Sequence, residues 1–344
     1  MTRPLSYPAG KPPVAGVTRE IAPGVLWLRM PLPFALRWIN LWLLEDDDGW
    51  IVVDTGVATD ECRQHWRTIL ASPALKGRAV QHVLVTHMHP DHLGLAGWLT
   101  TECDCPLWMS RLEYITGRML VADLGREAPD DAADFYLATG WDDAALASWR
   151  ERFGSFGRLV SPMPDSFRRV TAGDAFRIGG RVWHVLGGNG HSPEHICLWC
   201  PALNVFISGD QILPRISSNV SVFPTEPEAD PLSDWLESCA QLRQALPADV
   251  LVLPAHNEPF VGAHERLQAL IDHHEASLAQ VEESLREAPK RCVDLFPILF
   301  PRAVTTDLLG FATGEALAHL HCLIRRGRAR RSTTSAGIWL YSAV

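Results

Sequence analysis

No run of about 18 consecutive apolar residues occurs in the sequence, so a membrane-spanning helix is not expected. The first residues, Met-Thr-Arg-Pro-Leu-Ser-Tyr-Pro, also lack the apolar core of a secretory leader. Positive charge is in short supply. Lys and Arg number 31 against 40 Asp and Glu, a formal net charge of -9. That excludes a surface given over wholly to polyanions, although it leaves room for a local basic patch. Eight cysteines in 344 residues are too few for a disulfide framework. The close pairs are Cys103-Asp104-Cys105 and Cys197-Leu198-Trp199-Cys200. Residues three apart on a strand face opposite ways, so the second pair is not expected to bond. Plain thiols in a reducing, cytoplasmic setting are the expectation. No Gly-x-Ser-x-Gly elbow offers a serine nucleophile. At 47% hydrophobic and 21% charged, the chain has material for one large domain, or a large and a small one.

The chain is organised around Thr86-His87-Met88-His89-Pro90-Asp91-His92-Leu93-Gly94. Val83-Leu84-Val85 before it reads as a short strand buried on both faces. Leu93 to Leu99 after it reads as the start of a helix. Three imidazoles and a carboxylate at the mouth of a strand-to-helix turn are poor core material. They are good ligands for zinc and its neighbours in the first transition row.

The pattern His-x-His-x-Asp-His followed by Leu-Gly resembles the signature of the metallo-β-lactamase superfamily. The resemblance extends down the chain to Gly190-His191, to Asp210 after Phe206-Ile207-Ser208-Gly209, and to His256 after Val250-Leu251-Val252-Leu253-Pro254-Ala255. Asn189 departs from the commoner Pro-Gly-His-Thr form and leaves His191 in register. The resemblance implies an α/β fold, the four-layer αββα sandwich. It implies two divalent metal ions, one held by His87, His89 and His191, the other by Asp91, His92 and His256, with Asp210 bridging. Zinc is the default, and the same ligands accept manganese, iron, cobalt or nickel. A metal-bridging hydroxide would attack an electrophilic centre, with Asp91 orienting it or relaying a proton. Asp54, ending the strand Trp50–Val53, is implied to hydrogen-bond beside the His87 loop and orient ligand imidazoles. The family's diiron flavoproteins have Glu where this chain has His89, and carry a flavodoxin-like domain that is missing here. Hydrolysis is therefore the expected chemistry.

In chain order, an extended Pro- and Gly-rich arm (1–20) precedes strands at Val25–Met30, Ile39–Leu44 and Trp50–Val53, the last two joined by the acidic turn Glu45–Gly49. A helix at Thr59–Leu70 is capped by Thr59 or Asp60. A helical stretch at about 111–158, broken by Gly125, Pro129 and Gly140, is either packing on the scaffold or a cap over the metal mouth. Strands resume at Ala175–Ile178, Arg181–Leu186, Ile196–Trp199 and Val205–Ser208. Pro231–Leu246 forms a helix capped by Asp230. Arg215, Asn219 and His195 are weak substrate-binding candidates, each with a plain structural role as the alternative.

Residues 1–262 are expected to form the catalytic domain and 263–344 a small C-terminal α+β domain. In the latter, helices followed by a basic hairpin resemble the winged-helix module of some family hydrolases. Its cluster Arg325-Arg326-Gly327-Arg328-Ala329-Arg330-Arg331 would meet phosphate in a nucleic-acid binder. The acidic chain favours instead arginines paired with carboxylates of the larger domain or a second subunit. His273-His274 and His319-x-His321 do not converge on one helix face, and read as packing or surface residues. The leading functional reading is hydrolysis of a small ester, lactone or thioester carbonyl. A metal-dependent endoribonuclease or phosphodiesterase acting on single-stranded RNA is the second. A nucleic-acid-binding regulator with a metal-sensing domain is the third. The fold alone does not choose the substrate, and a homodimer is compatible with the Trp-rich helices and the appended module.

Overall fold

Long apolar runs such as Val25-Leu26-Trp27-Leu28-Arg29-Met30 become strands because alternate side chains find different apolar neighbours on the two faces of a sheet. In the computed structural model, which describes residues 4–344, β1 (Arg19–Ala22), β2 (Val25–Pro31), β3 (Trp38–Glu45), β4 (Trp50–Val53), β5 (Val80–Leu84), β6 (Leu107–Met109) and β7 (Arg168–Arg169) form one sheet in that order. A second sheet runs β13-β12-β11-β10-β9-β8. Its strands are β8 (Ala175–Ile178), β9 (Arg181–Gly187), β10 (Ile196–Cys200), β11 (Val205–Gly209), β12 (Leu251–Pro254) and β13 (Phe260–Val261). The Glu45–Gly49 turn does close a hairpin, pairing Trp42 with Val53 and Glu45 with Trp50.

Val25, Trp27, Trp42, Ile51 and Val53 of the first sheet pack with Trp183, Val185, Leu198 and Ile207 of the second. The interleaved residues Leu26, Leu28, Met30, Leu41 and Val52 face the other way. They bury against Trp66 and Ile69 of α1 (Asp60–Leu70) and Leu93 of α2 (Pro90–Leu93). Leu99 of α3 (Ala96–Glu102) joins the same cluster. Thr59 caps α1 by accepting the Cys62 N–H at 3.2 Å. The chain thus has the mixed α/β sandwich expected of it, with helices outside two facing sheets.

One local expectation is corrected. The helix after the histidine stretch is not continuous, for α2 stops at Leu93 and α3 starts at Ala96. The Leu95 N–H turns to Gly56 O and Thr55 Oγ1, both at 3.0 Å, which ties this turn to the loop after β4.

The remaining helices are α4 (Arg111–Ala122), α5 (Asp130–Ala138), α6 (Asp143–Arg152), α7 (Pro231–Ala245), α8 (Ala263–Glu287), α9 (Phe296–Leu299) and α10 (Leu309–Arg325), with a terminal hairpin β14 (Ala329–Thr333) and β15 (Trp339–Ala343). Contacts divide the chain into two units. The first holds residues up to Leu124, Gly154–Ser218 and Leu242–Leu267, and so contains both large sheets. The second holds Gly125–Phe153, Asn219–Gln241 and Gln268–Val344. Within it Trp141 donates to Thr313 Oγ1 at 2.8 Å, and Phe135 packs edge-on against Trp339. All eight cysteines are thiols, six of them buried. No helix among the described residues is long and apolar enough to cross a membrane.

Candidate metal centre

Strand direction gathers the chemistry at one edge of the sandwich. β4 and β5 run parallel and their carboxyl ends deliver Asp54 and the 86–92 loop. β11 and β12 also run parallel, and their carboxyl ends deliver Asp210 and His256. His191 lies in the connection from β9 to β10. Gly209 before Asp210 has φ +49, and a Cβ there would come 2.5 Å from His195 Nε2, so only glycine lets that turn close.

All seven expected ligands meet there. His89 Nδ1 lies 2.9 Å from His87 Nε2 and 3.0 Å from His191 Nε2. One ring nitrogen carries at most one proton, so it cannot satisfy both neighbours by donating. A second group comprises Asp91, His92 and His256, with His256 Nε2 3.2 Å from Asp91 Oδ2. Asp210 spans the two groups. Its Oδ2 lies 3.5 Å from His191 Nε2, and its Oδ1 lies 3.5 Å from both His92 Nε2 and His256 Nε2. Those three atoms, His92 Nε2, His256 Nε2 and Asp210 Oδ1, are buried without a hydrogen-bond partner. Buried acceptors that converge yet stay unsatisfied fit a cation, because leaving them bare is costly.

The imidazoles are aimed from behind. Asp54, at φ +61, accepts the Thr86 N–H at 2.8 Å on Oδ1 and the His92 Nδ1–H at 2.8 Å on Oδ2. His256 donates Nδ1–H to Trp38 O at 3.0 Å. Each bond fixes the tautomer that frees Nε2 for the centre. Burial, reinforced by His92, keeps His87 well below the usual histidine range, and burial with His191 holds His89 down at about 3. Both are therefore neutral, as ligation requires. Burial works against ionising Asp210, but His256 and His92 hold it well below the usual carboxylate range.

Of the weaker candidates, His195 lies against the centre, whereas Arg215 and Asn219 are engaged with other residues. His195 is fully buried, and its Nε2 accepts the Asp210 N–H at 3.2 Å. Arg215 pairs with Glu258 at 3.0 Å and lies over the Tyr7 ring. Asn219 belongs to the second unit, where it donates to Glu315 at 2.7 Å. In that unit Arg325, Arg326, Arg328 and Arg331 pair with Asp230, Glu275, Glu282 and Glu228. His274 and His319 are buried against each other.

Two residues that support the centre carry no motif. Asn40 donates from Nδ2 to Pro254 O at 2.9 Å and Asn257 O at 2.7 Å, bracing the His256 loop. Glu113 braces two other loops. Asn40 shows in the sequence as a polar residue inside an apolar strand, whereas Glu113 carries no such signal.

Residues 39–256 match the Metallo-beta-lactamase superfamily, and residues 278–344 match the Metallo-beta-lactamase-like, C-terminal domain. The chain belongs to the metallo-β-lactamase superfamily and is a hydrolytic enzyme of it. It is similar to a beta-lactamase domain protein from Burkholderia ambifaria, whose crystal structure is 44% identical over 99% of this chain and 98% of that one, with a TM-score of 0.91. It is 24% identical to the probable metallo-hydrolase YqjP of Bacillus subtilis (strain 168), over 87% of this chain and 92% of that protein. It is also 24% identical to the acyl-coenzyme A thioesterase MBLAC2 of Bos taurus, over 74% of this chain and 85% of that protein.

Proposed function

We propose that this chain is a dinuclear metal-dependent hydrolase of a small ester, lactone or thioester carbonyl, with a thioester as the leading substrate. One observation carries the dinuclear reading: the two Asp210 oxygens face two separate ligand groups. His87, His89 and His191 would hold one ion, and Asp91, His92 and His256 the other, zinc being the metal suited to such nitrogen and oxygen ligands. Bound there, the ions would supply Lewis acidity and make water a nucleophile near neutral pH.

The remaining work falls to the chain. Asp54 and Trp38 O hold the His92 and His256 rings in one tautomer, so that neither ring turns during a cycle. Asp91 is the proton-handling group. It keeps some solvent exposure, and against the cost of burial His92 and His256 lower its pKa, so it is ionised and able to accept a proton. The thioester preference rests on the thioesterase relative and on the general suitability of an activated carbonyl. RNA cleavage would call on the arginine cluster, four of whose five members are already paired with carboxylates.

Steady-state hydrolysis of short acyl-coenzyme A thioesters, lactones and aryl esters, with zinc or manganese added, tests the proposal. At least one carbonyl substrate is expected to reach a kcat/KM of roughly 10⁴ M⁻¹s⁻¹. Cleavage of short RNA with no carbonyl substrate turned over would overturn it.

A further inference from the structure

The imidazoles of the first ligand group come from different sheets. His87 and His89 follow β5, whereas His191 follows β9. One fully buried side chain touches both connections. Glu113, in the first turn of α4, accepts the Met88 N–H at 2.9 Å on Oε2. On Oε1 it accepts the Ser192 Oγ–H at 2.6 Å and the Glu194 N–H at 2.7 Å. Met88 lies between His87 and His89, and Ser192 directly follows His191.

We propose that Glu113 is a positioning residue that sets the spacing between the His87–His89 loop and the His191 loop, and through it the affinity for the first cation. The proposal rests on the metal-centre reading above. It would explain why so costly a group is buried: only a carboxylate offers acceptors on both oxygens to three donors from two loops. The helix carrying it is fastened to the same loop. Ser110 Oγ donates to Glu194 O at 2.7 Å, and the Leu112 N–H donates to Glu194 Oε2 at 2.8 Å. One turn on, a Cβ at Gly117 would come 2.7 Å from Leu93 Cδ2, so α4 lies close against α2, the helix that carries Asp91 and His92. Glu113 therefore has little freedom to follow the loops if they drift; they are held to it.

A glutamine has the same shape but one acceptor oxygen, so at least one of the three donors must face an N–H instead. An aspartate keeps the charge and falls short by one methylene. The test uses the full chain with Glu113→Gln and Glu113→Asp. Zinc affinity is read by competition with a fluorescent chelator, amide exchange is followed at Met88 and Glu194, and thermal unfolding is recorded with chelator present. For Glu113→Gln we expect zinc affinity to fall at least tenfold and exchange at those two amides to rise at least tenfold, with the circular dichroism of the unaltered protein. Glu113→Asp should fall between the two. A Glu113→Gln protein that binds zinc within twofold of the unaltered chain would overturn the proposal, even if it melted earlier, since that is a purely structural role. If the unaltered chain takes up no zinc, the metal-centre reading fails. The exchange measurement then decides this one, and unchanged exchange at Met88 and Glu194 overturns it.

Discussion

His92 gives its Nδ1–H to Asp54 Oδ2 over 2.8 Å, and this single bond turns His92 Nε2 toward Asp210 Oδ1, 3.5 Å away. Asp54 can do so because its backbone occupies the left-handed region at φ +61, which brings the carboxylate back under Thr86. An Asp54→Asn variant must place an N–H against either His92 or Thr86. Its metal affinity, measured by chelator competition, is expected to fall about 10- to 100-fold. An unchanged affinity would mean that the ring is held by packing alone.

The two ligand groups should be separable by stoichiometry. His256→Ala removes a proposed ligand from one group, and His89→Ala from the other. Plasma emission analysis of each purified variant is expected to find about one metal equivalent where the unaltered chain has about two. Two equivalents retained in both variants would argue against assigning these residues to separate ions.

Stability of the second unit should respond to pH through Glu315, whose carboxyl burial pushes up to about 7 even though Asn219 donates to it. A carboxyl whose folded pKa lies above its unfolded value binds more protons folded than unfolded. Its stabilisation is complete below about 4.5 and is lost as pH rises toward about 7. The buried pair His274 and His319, held at about 3 and about 4 by burial, acts in the opposite sense, costing stability as pH falls below about 6.5. Denaturant midpoints measured from pH 4.5 to 8 are expected to flatten on the alkaline side in Glu315→Gln, by about 1–3 kcal/mol at most. An identical profile in the variant would mean that Glu315 does not carry this pH dependence.

The arginine cluster should matter for stability rather than for polyanion binding. Arg328 pairs with Glu282, a buried carboxylate that also accepts from Arg286 at 2.5 Å. Replacing Arg328, Arg330 and Arg331 by serine is expected to destabilise the chain by about 1 kcal/mol or more. It should leave any affinity for a short RNA in the non-specific range and thioester turnover unchanged between low and moderate salt. An RNA affinity that falls steeply with ionic strength and vanishes in the triple variant would point to phosphate contacts instead.

The clustering was readable in the sequence where the proposed ligands follow short apolar strands at fixed spacing, as His87, His89, Asp91 and His92 do after Val83-Leu84-Val85. The hairpins were readable for the same reason, since alternation and turn residues act over a few positions. Glu113 was not. An acid in a helix's first turn ordinarily reads as a partner of the helix dipole, and its partners Met88 and Ser192 lie 25 and 79 positions away. The break at Gly94-Leu95 was hidden too, because the acceptors that end α2 belong to Thr55 and Gly56. The grouping of 125–153 with the C-terminal segments likewise depends on partners far along the chain, such as Trp141 with Thr313.

Whether turnover requires bound metal is decided by removing it. The unaltered protein would be dialysed against a strong chelator, assayed on the best carboxylic substrate of the panel, and assayed again after zinc is restored. Removal is expected to abolish at least 99% of turnover, with recovery as zinc approaches about two equivalents per chain. Full turnover by protein holding less than a tenth of an equivalent of any metal would contradict it.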